Sequence, residues 1–179
     1  MKKILLGLLA VVIAGGLVYA ANDTFTITLS PTGDRGVLIT TTTVGLGGMA
    51  PSEVKTTGAI PCTSTGTIAN IEYEISAAVT GGTAVLTADA DVTPVSTELC
   101  LQALFNAAVE AFAAKDVVTT VAQQVGDGAP GEFEGTDDDM DALGLLVSRN
   151  LWCQVTMPSA IDYTGTQTIT VTVNAIAGE

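Results

Sequence analysis

From residue 166 to 176 the chain reads T-Q-T-I-T-V-T-V-N-A-I. Ile169, Val171 and Val173 fall on one side, and Thr168, Thr170 and Thr172 on the other. A period of two in β-branched residues predicts a half-buried β-strand. Residues 24–29, T-F-T-I-T-L, carry the same pattern, with Phe25, Ile27 and Leu29 on the apolar side. After a turn at 31–34, residues 36–44 predict a second strand, antiparallel to the first. Residues 45–58 are rich in Gly, Pro, Ser and Thr and predict a loop. In 67–79, Ile71, Tyr73 and Ile75 share a face while Glu72 and Glu74 alternate outward. Gly81-Gly82 predicts a turn, with 83–88 as the hairpin partner. Residues 117–125 and 151–157 predict further strands. The period does not separate helix from strand over 142–147.

One stretch departs from this rhythm. In residues 98–114, Leu101, Leu104, Phe105, Ala108 and Phe112 follow helical spacing. Ser96 or Thr97 stands where an N-cap would, Glu98 in the first turn and Lys115 at the far end. The expectation is one amphipathic helix lying over the end of the strands. Seven or eight strands and one helix predict a mainly β chain, an immunoglobulin-like or jelly-roll-type β-sandwich. The 179 residues suffice for one domain, taken as 21–179.

The first twenty residues are set apart. Lys2 and Lys3 precede an apolar run from 4 to 17, and Val18-Tyr19-Ala20 resembles a signal-peptidase site. The expectation is a removable signal peptide, hence a secreted or cell-surface protein that meets the membrane only in transit. The alternative is an uncleaved N-terminal anchor, since 4–21 approaches the ~20 residues of a spanning helix. After removal, Arg35, Lys55, Lys115 and Arg149 face nineteen acids, a balance near −15. Such a surface repels nucleic acid and favours solubility and divalent cations.

Histidine is absent, which excludes Ser-His-Asp and Cys-His catalysis. Aromatic residues are 4%, too few for stacking platforms. Export permits a disulfide among Cys62, Cys100 and Cys153. Cys62 sits in what reads as a polar turn, Cys100 at the start of the predicted helix and Cys153 in an apolar strand. The expected bridge joins Cys62 to one of the other two, leaving one buried thiol.

Residues 126–141 form an acidic loop. Glu134, Asp137, Asp139 and Asp141 are the candidate metal ligands, because crowded carboxylates are relieved by a hard cation such as calcium. Asp137, Asp139 and Asp141 match the opening of an EF-hand loop, but Ala142 and Ser148 stand where it needs Gly and Glu. A solvated acidic loop is the plainer reading. A pair of these acids could also serve a glycoside hydrolase, a reading poorly supported by one Trp and three Tyr.

Strands at both chain ends invite pairing with another copy through unpaired edge N–H and C=O groups. The signal peptide, residues 24–29 and the T-I-T-V-T-V ending together resemble secreted immunoglobulin-like pilin or surface-filament subunits joined by donated strands. That resemblance implies a non-enzymatic structural subunit whose partners are copies of itself. Phe25, Ile27 and Leu29 would fill a groove in the next subunit, with the final strand as a resident edge. A secreted calcium-binding module is the alternative, and an acid-pair hydrolase a third.

Overall fold

Alternating apolar and polar residues become strands wherever one face can be covered, and here two sheets cover each other. A computed structural model describes residues 25–32, 35–67, 70–89, 96–106, 108–109, 111–125 and 144–178. Its strands are β1 (Phe25–Thr32), β2 (Gly36–Ile39), β3 (Thr43–Gly47), β4 (Val54–Thr56), β5 (Ile60–Thr65), β6 (Ile71–Gly81), β7 (Val85–Leu86), β8 (Glu98–Phe105), β9 (Gln123–Val125), β10 (Ser148–Thr156) and β11 (Gln167–Ala177). One 3-10 turn, Ala114–Asp116, is the only helical element among the described residues.

The first sheet runs β3-β1-β11-β6-β9, and the second β2-β5-β10-β8-β7 with β4 also paired to β10. The fold is therefore mainly β and sandwich-like. Its core takes alternate residues from both sheets. Ile27, Ile71, Ile75, Ile169, Val171 and Val173 come from the first, and Ile60, Leu99, Leu101, Leu151 and Val155 from the second. Tyr73 and Phe105 meet between the layers, ring centroids 5.6 Å apart.

The predicted amphipathic helix over 98–114 is corrected to strand β8. Leu99, Leu101, Ala103 and Phe105 enter the core, while Cys100, Gln102 and Leu104 are buried on the opposite face. That face is covered by the chain that follows β8. Gln102 Nε2 donates to the Ala113 carbonyl at 2.6 Å, and Val118 N donates to the Leu101 carbonyl at 2.9 Å. A strand apolar on both faces loses the period of two and imitates a helix in sequence.

Other expectations are redrawn. Predicted strand 36–44 divides into β2 and β3, which lie in different sheets. The antiparallel neighbour of β1 is β3, and loop 45–58 contains β4 and the end of β3. β7 does not form a hairpin with β6; it pairs parallel with β8. Of the strand predicted at 117–125, only β9 is formed, and this stretch links the two sheets. Val117 and Val118 bond to β8, Thr119 accepts from Ala77 N at 2.8 Å, and β9 pairs with β6. Of residues 142–147, the described part is a turn at Leu145 and Leu146. The final strand, expected at an edge, stands third of five, because β1 covers one side and β6 the other.

Candidate assembly strand

β1 lies between two strands from distant parts of the chain. With β11 it runs parallel through eight pairs, from Phe25↔Gln167 to Thr32↔Asn174. With β3 it runs antiparallel through four, with a register shift between Phe25 and Thr26. Ile27 is fully buried beside Ile169 and Val44, and Leu29 is buried beside Val171. Of the three residues expected to fill a groove, Ile27 and Leu29 thus occupy sockets in their own chain. Phe25 sits at the first register position, opposite Gln167.

Each wall of this seat has contacts besides those with β1, although β3, an edge strand, pairs with no other described strand. β11 is held along its far side by ten pairs with β6. At its start, the buried Gln167 Oε1 accepts from Thr83 N at 2.9 Å and Ala84 N at 3.0 Å. A Cβ on Gly82 would overlap the Gln167 amide, and Gly82 has φ +98°, so only glycine suits that turn. At its end, Gly178 exchanges two hydrogen bonds with Asn70, at 2.9 and 3.0 Å. Asn70 reaches that geometry at φ +67°, which its short polar side chain tolerates. On the other wall, Lys55 Nζ donates to the Gly48 carbonyl at 2.5 Å and the Leu46 carbonyl at 3.2 Å. Its ammonium pairs with Glu53 at 3.4 Å. Chemically, the seat offers backbone donors and acceptors on two sides and apolar sockets beneath, the requirements for one extended strand. Gln167, Asn70 and Lys55 were not singled out from sequence, because the hydrogen bonds that hold these walls run to residues 7 to 108 positions away.

The cysteines are a correction. All three are buried and free, and no disulfide joins them. Cys62 lies in β5 rather than a polar turn, and Cys100 in β8 rather than a helix. Cys62 pairs with Arg149 on β10, four residues before Cys153. Four residues of strand rise are ~13 Å, well beyond the ~7 Å between Cα atoms that a disulfide tolerates. Cys100 lies on the face of β8 turned away from the core. Burial pushes the Cys62 thiol up to about 12, partly offset by the Leu151 backbone. Burial and then nearby Asp89 push Cys100 up to about 11. Cys153 is raised further, by burial and then by Cys62. None is a thiolate near neutrality, so none is a nucleophile or soft-metal ligand there.

The acidic candidates Glu134, Asp137, Asp139 and Asp141 lie outside the described residues, as does the segment 1–20 expected to be a signal peptide. The flanks of the acidic run are described. Val125 pairs with Tyr73 on one side. On the other, Ser64 Oγ donates to the Gly144 carbonyl at 2.6 Å and accepts from Val147 N at 3.0 Å. Among the described residues no group of three His, Cys, Asp or Glu side chains could hold a metal, and no helix is long and apolar enough to cross a membrane. Comparison of the chain with protein-family models and with curated proteins gives no match.

Proposed function

We propose that the chain is an exported, non-catalytic structural subunit that assembles with copies of itself, β1 of one copy occupying the seat between β3 and β11 of the next. The observation that carries this reading is that the strands flanking β1 have contacts of their own. β1 leads the described chain, its neighbours are held by β6, Gln167, Asn70 and Lys55, and its continuation crosses to β2 in the other sheet. Another copy's β1 would make the same hydrogen bonds and bury the same Ile27 and Leu29. Closed and exchanged forms then differ little in contact energy, and concentration and the connection to β2 decide between them. The parallel pairing of β1 with β11 in an otherwise largely antiparallel sandwich fits an immunoglobulin-like variant of the fold. Low aromatic content and the absence of histidine fit a surface material better than a catalyst.

The test is a cross-link. Thr28 and Thr170 are register partners on the outer face of the sheet. Thr28→Cys with Thr170→Cys, oxidised after assembly, gives a ladder of covalent multimers if strands are exchanged. Covalent monomers alone in assembled material would remove the exchange mechanism, and the absence of any assembly would remove the filament reading.

A further inference from the structure

β3 is the weaker of the two walls around β1. β11 is paired along its other side with β6 through ten positions, whereas β3 pairs with no described strand except β1. That pairing covers four positions and is broken by a register shift. Gly45 stands opposite Thr26 and Gly47 opposite Phe25, so Leu46 is an extra residue in the ladder. Such a residue is left unpaired and bends the strand locally. Val44 and Leu46 are only partly buried, and the next buried side chain along the chain is Met49.

The carbonyls at this bulge are taken by Lys55. Its Nζ donates to Leu46 O at 3.2 Å and to Gly48 O at 2.5 Å. Lys55 reaches them from the other sheet. In β4 it stands opposite Val155, a core residue of β10, and residues opposite one another project to the same face. Its stem therefore leaves β4 on the core side and carries the ammonium out to the rim. The root of this arm is firmly held. β4 makes three pairs with β10, Met157 N donates to the Glu53 carbonyl at 2.9 Å, and Thr57 N donates to the Cys153 carbonyl at 2.8 Å. Glu53 steadies the ammonium. One carboxylate oxygen lies 3.4 Å from Nζ, and the other accepts from Ala50 N at 2.6 Å. The Lys55 and Glu53 side chains are 30% and 36% exposed, so water weakens the contact and it opens at far lower cost than the sheet unfolds.

We infer that β3 is a flap over β1 and that Lys55 is its clasp, whose release admits the β1 of a second copy beside β11. This role rests on the reading of β1 as the exchanged strand. With Lys55 released, β3 swings between the connection at 40–42 and the anchored Met49. The resident β1 leaves, and the incoming strand pairs with β11 over the same eight positions. β3 then closes over it, and Lys55 fastens the new pair as it fastened the old. The closed clasp has a second effect. Its ammonium occupies edge carbonyls that a strand added outside β3 would need, so copies join through the seat rather than by stacking on this edge.

The test begins with native-state hydrogen exchange on the full chain. The amides to follow are Leu29, which donates to the Thr42 carbonyl at 3.2 Å, and Val44, opposite Ile27. Lys55→Met keeps the stem and removes the donors. It should speed exchange at Leu29 and Val44 by about tenfold, the worth of one charge-assisted hydrogen bond at a partly exposed site. Amides shared by β6 and β11 should not change. Lys55→Arg, which keeps donors, should stay near wild type. The Thr28→Cys, Thr170→Cys cross-link is then followed in time with Lys55 and with Lys55→Met, and covalent multimers should accumulate faster in the variant. Unchanged exchange at Leu29 and Val44, or a rise spread equally over β6 and β11, overturns the clasp. Faster opening with an unchanged rate of multimer formation overturns its control of entry. Faster opening with no multimers in either background confirms the flap and removes the strand-exchange reading itself, so the two failures are told apart.

Discussion

Ile27 in the first strand lies directly beside Ile169 in the last, in parallel register, and both are fully excluded from solvent. The two residues stand at opposite ends of the described chain, so this contact closes the sheet across nearly its whole length. Ile27→Ala removes a branched side chain from a socket that Ile169 and Val44 cannot refill without moving strands. The expected loss is about 2–5 kcal/mol in urea unfolding. Val121→Ala, at a position 71% exposed, serves as the control and should stay within ~0.5 kcal/mol.

Gln167 supports the start of the same seat. Gln167→Leu keeps the volume but leaves the Thr83 and Ala84 amides without their acceptor. A loss of about 1–3 kcal/mol is expected. Faster hydrogen exchange should be confined at first to those two amides and the adjoining residues of β11. Unchanged protection at Thr83 and Ala84 would show that the side-chain carbonyl does not hold the turn.

The three thiols should be silent in the native state. At pH 8, a disulfide reagent should release nothing from the folded protein within minutes and three equivalents per chain in guanidinium. Rapid native release of even one equivalent would contradict the burial of these residues.

The same burial sets an alkaline limit on stability. The folded Cys62 thiol holds its proton up to about 12, against a reference value of 9.0. Above pH 9 the unfolded chain therefore releases a proton that the native chain keeps. The stabilising contribution is complete below pH 9 and falls as pH rises toward 12. Urea midpoints should be flat between pH 7 and 8.5 and decline by pH 10.5. Cys62→Val should make that decline shallower, although Cys153 and Tyr73 titrate in the same direction and keep it from vanishing. A midpoint that rises with pH across this range would reverse the sign and refute the account.

Much of the architecture is legible along the chain, and the reasons differ from strand to strand. β1, β10 and β11 each present one face to the core and alternate accordingly, so their residues could be assigned without knowing what they pack against, and β6 departs from this at Glu72, expected to face outward but fully buried. The absence of histidine and the low aromatic content likewise narrow the chemistry from composition alone. β8 was illegible because its second face is covered by the chain returning through Ala113 and Val118, which removes the alternation that marks a strand. The cysteine arrangement was illegible for a related reason. Counting thiols cannot show that four residues of rise separate Cys153 from the position facing Cys62, or that Cys100 points the other way.

The amino-acid sequence by itself determined that this is a β protein, which side chains of its regular strands face inward, and that its chemistry is that of acids, hydroxyls and buried apolar groups. Those properties are local, set by side-chain period and residue type. Only the tertiary structure decided that the first strand lies inside a sheet beside the last, that Gln167, Asn70 and Lys55 hold the walls of its seat, and that Tyr73 and Phe105 meet between the layers. These relations join residues far apart in the chain, and strand order across the two sheets, which no local period encodes, brings them together.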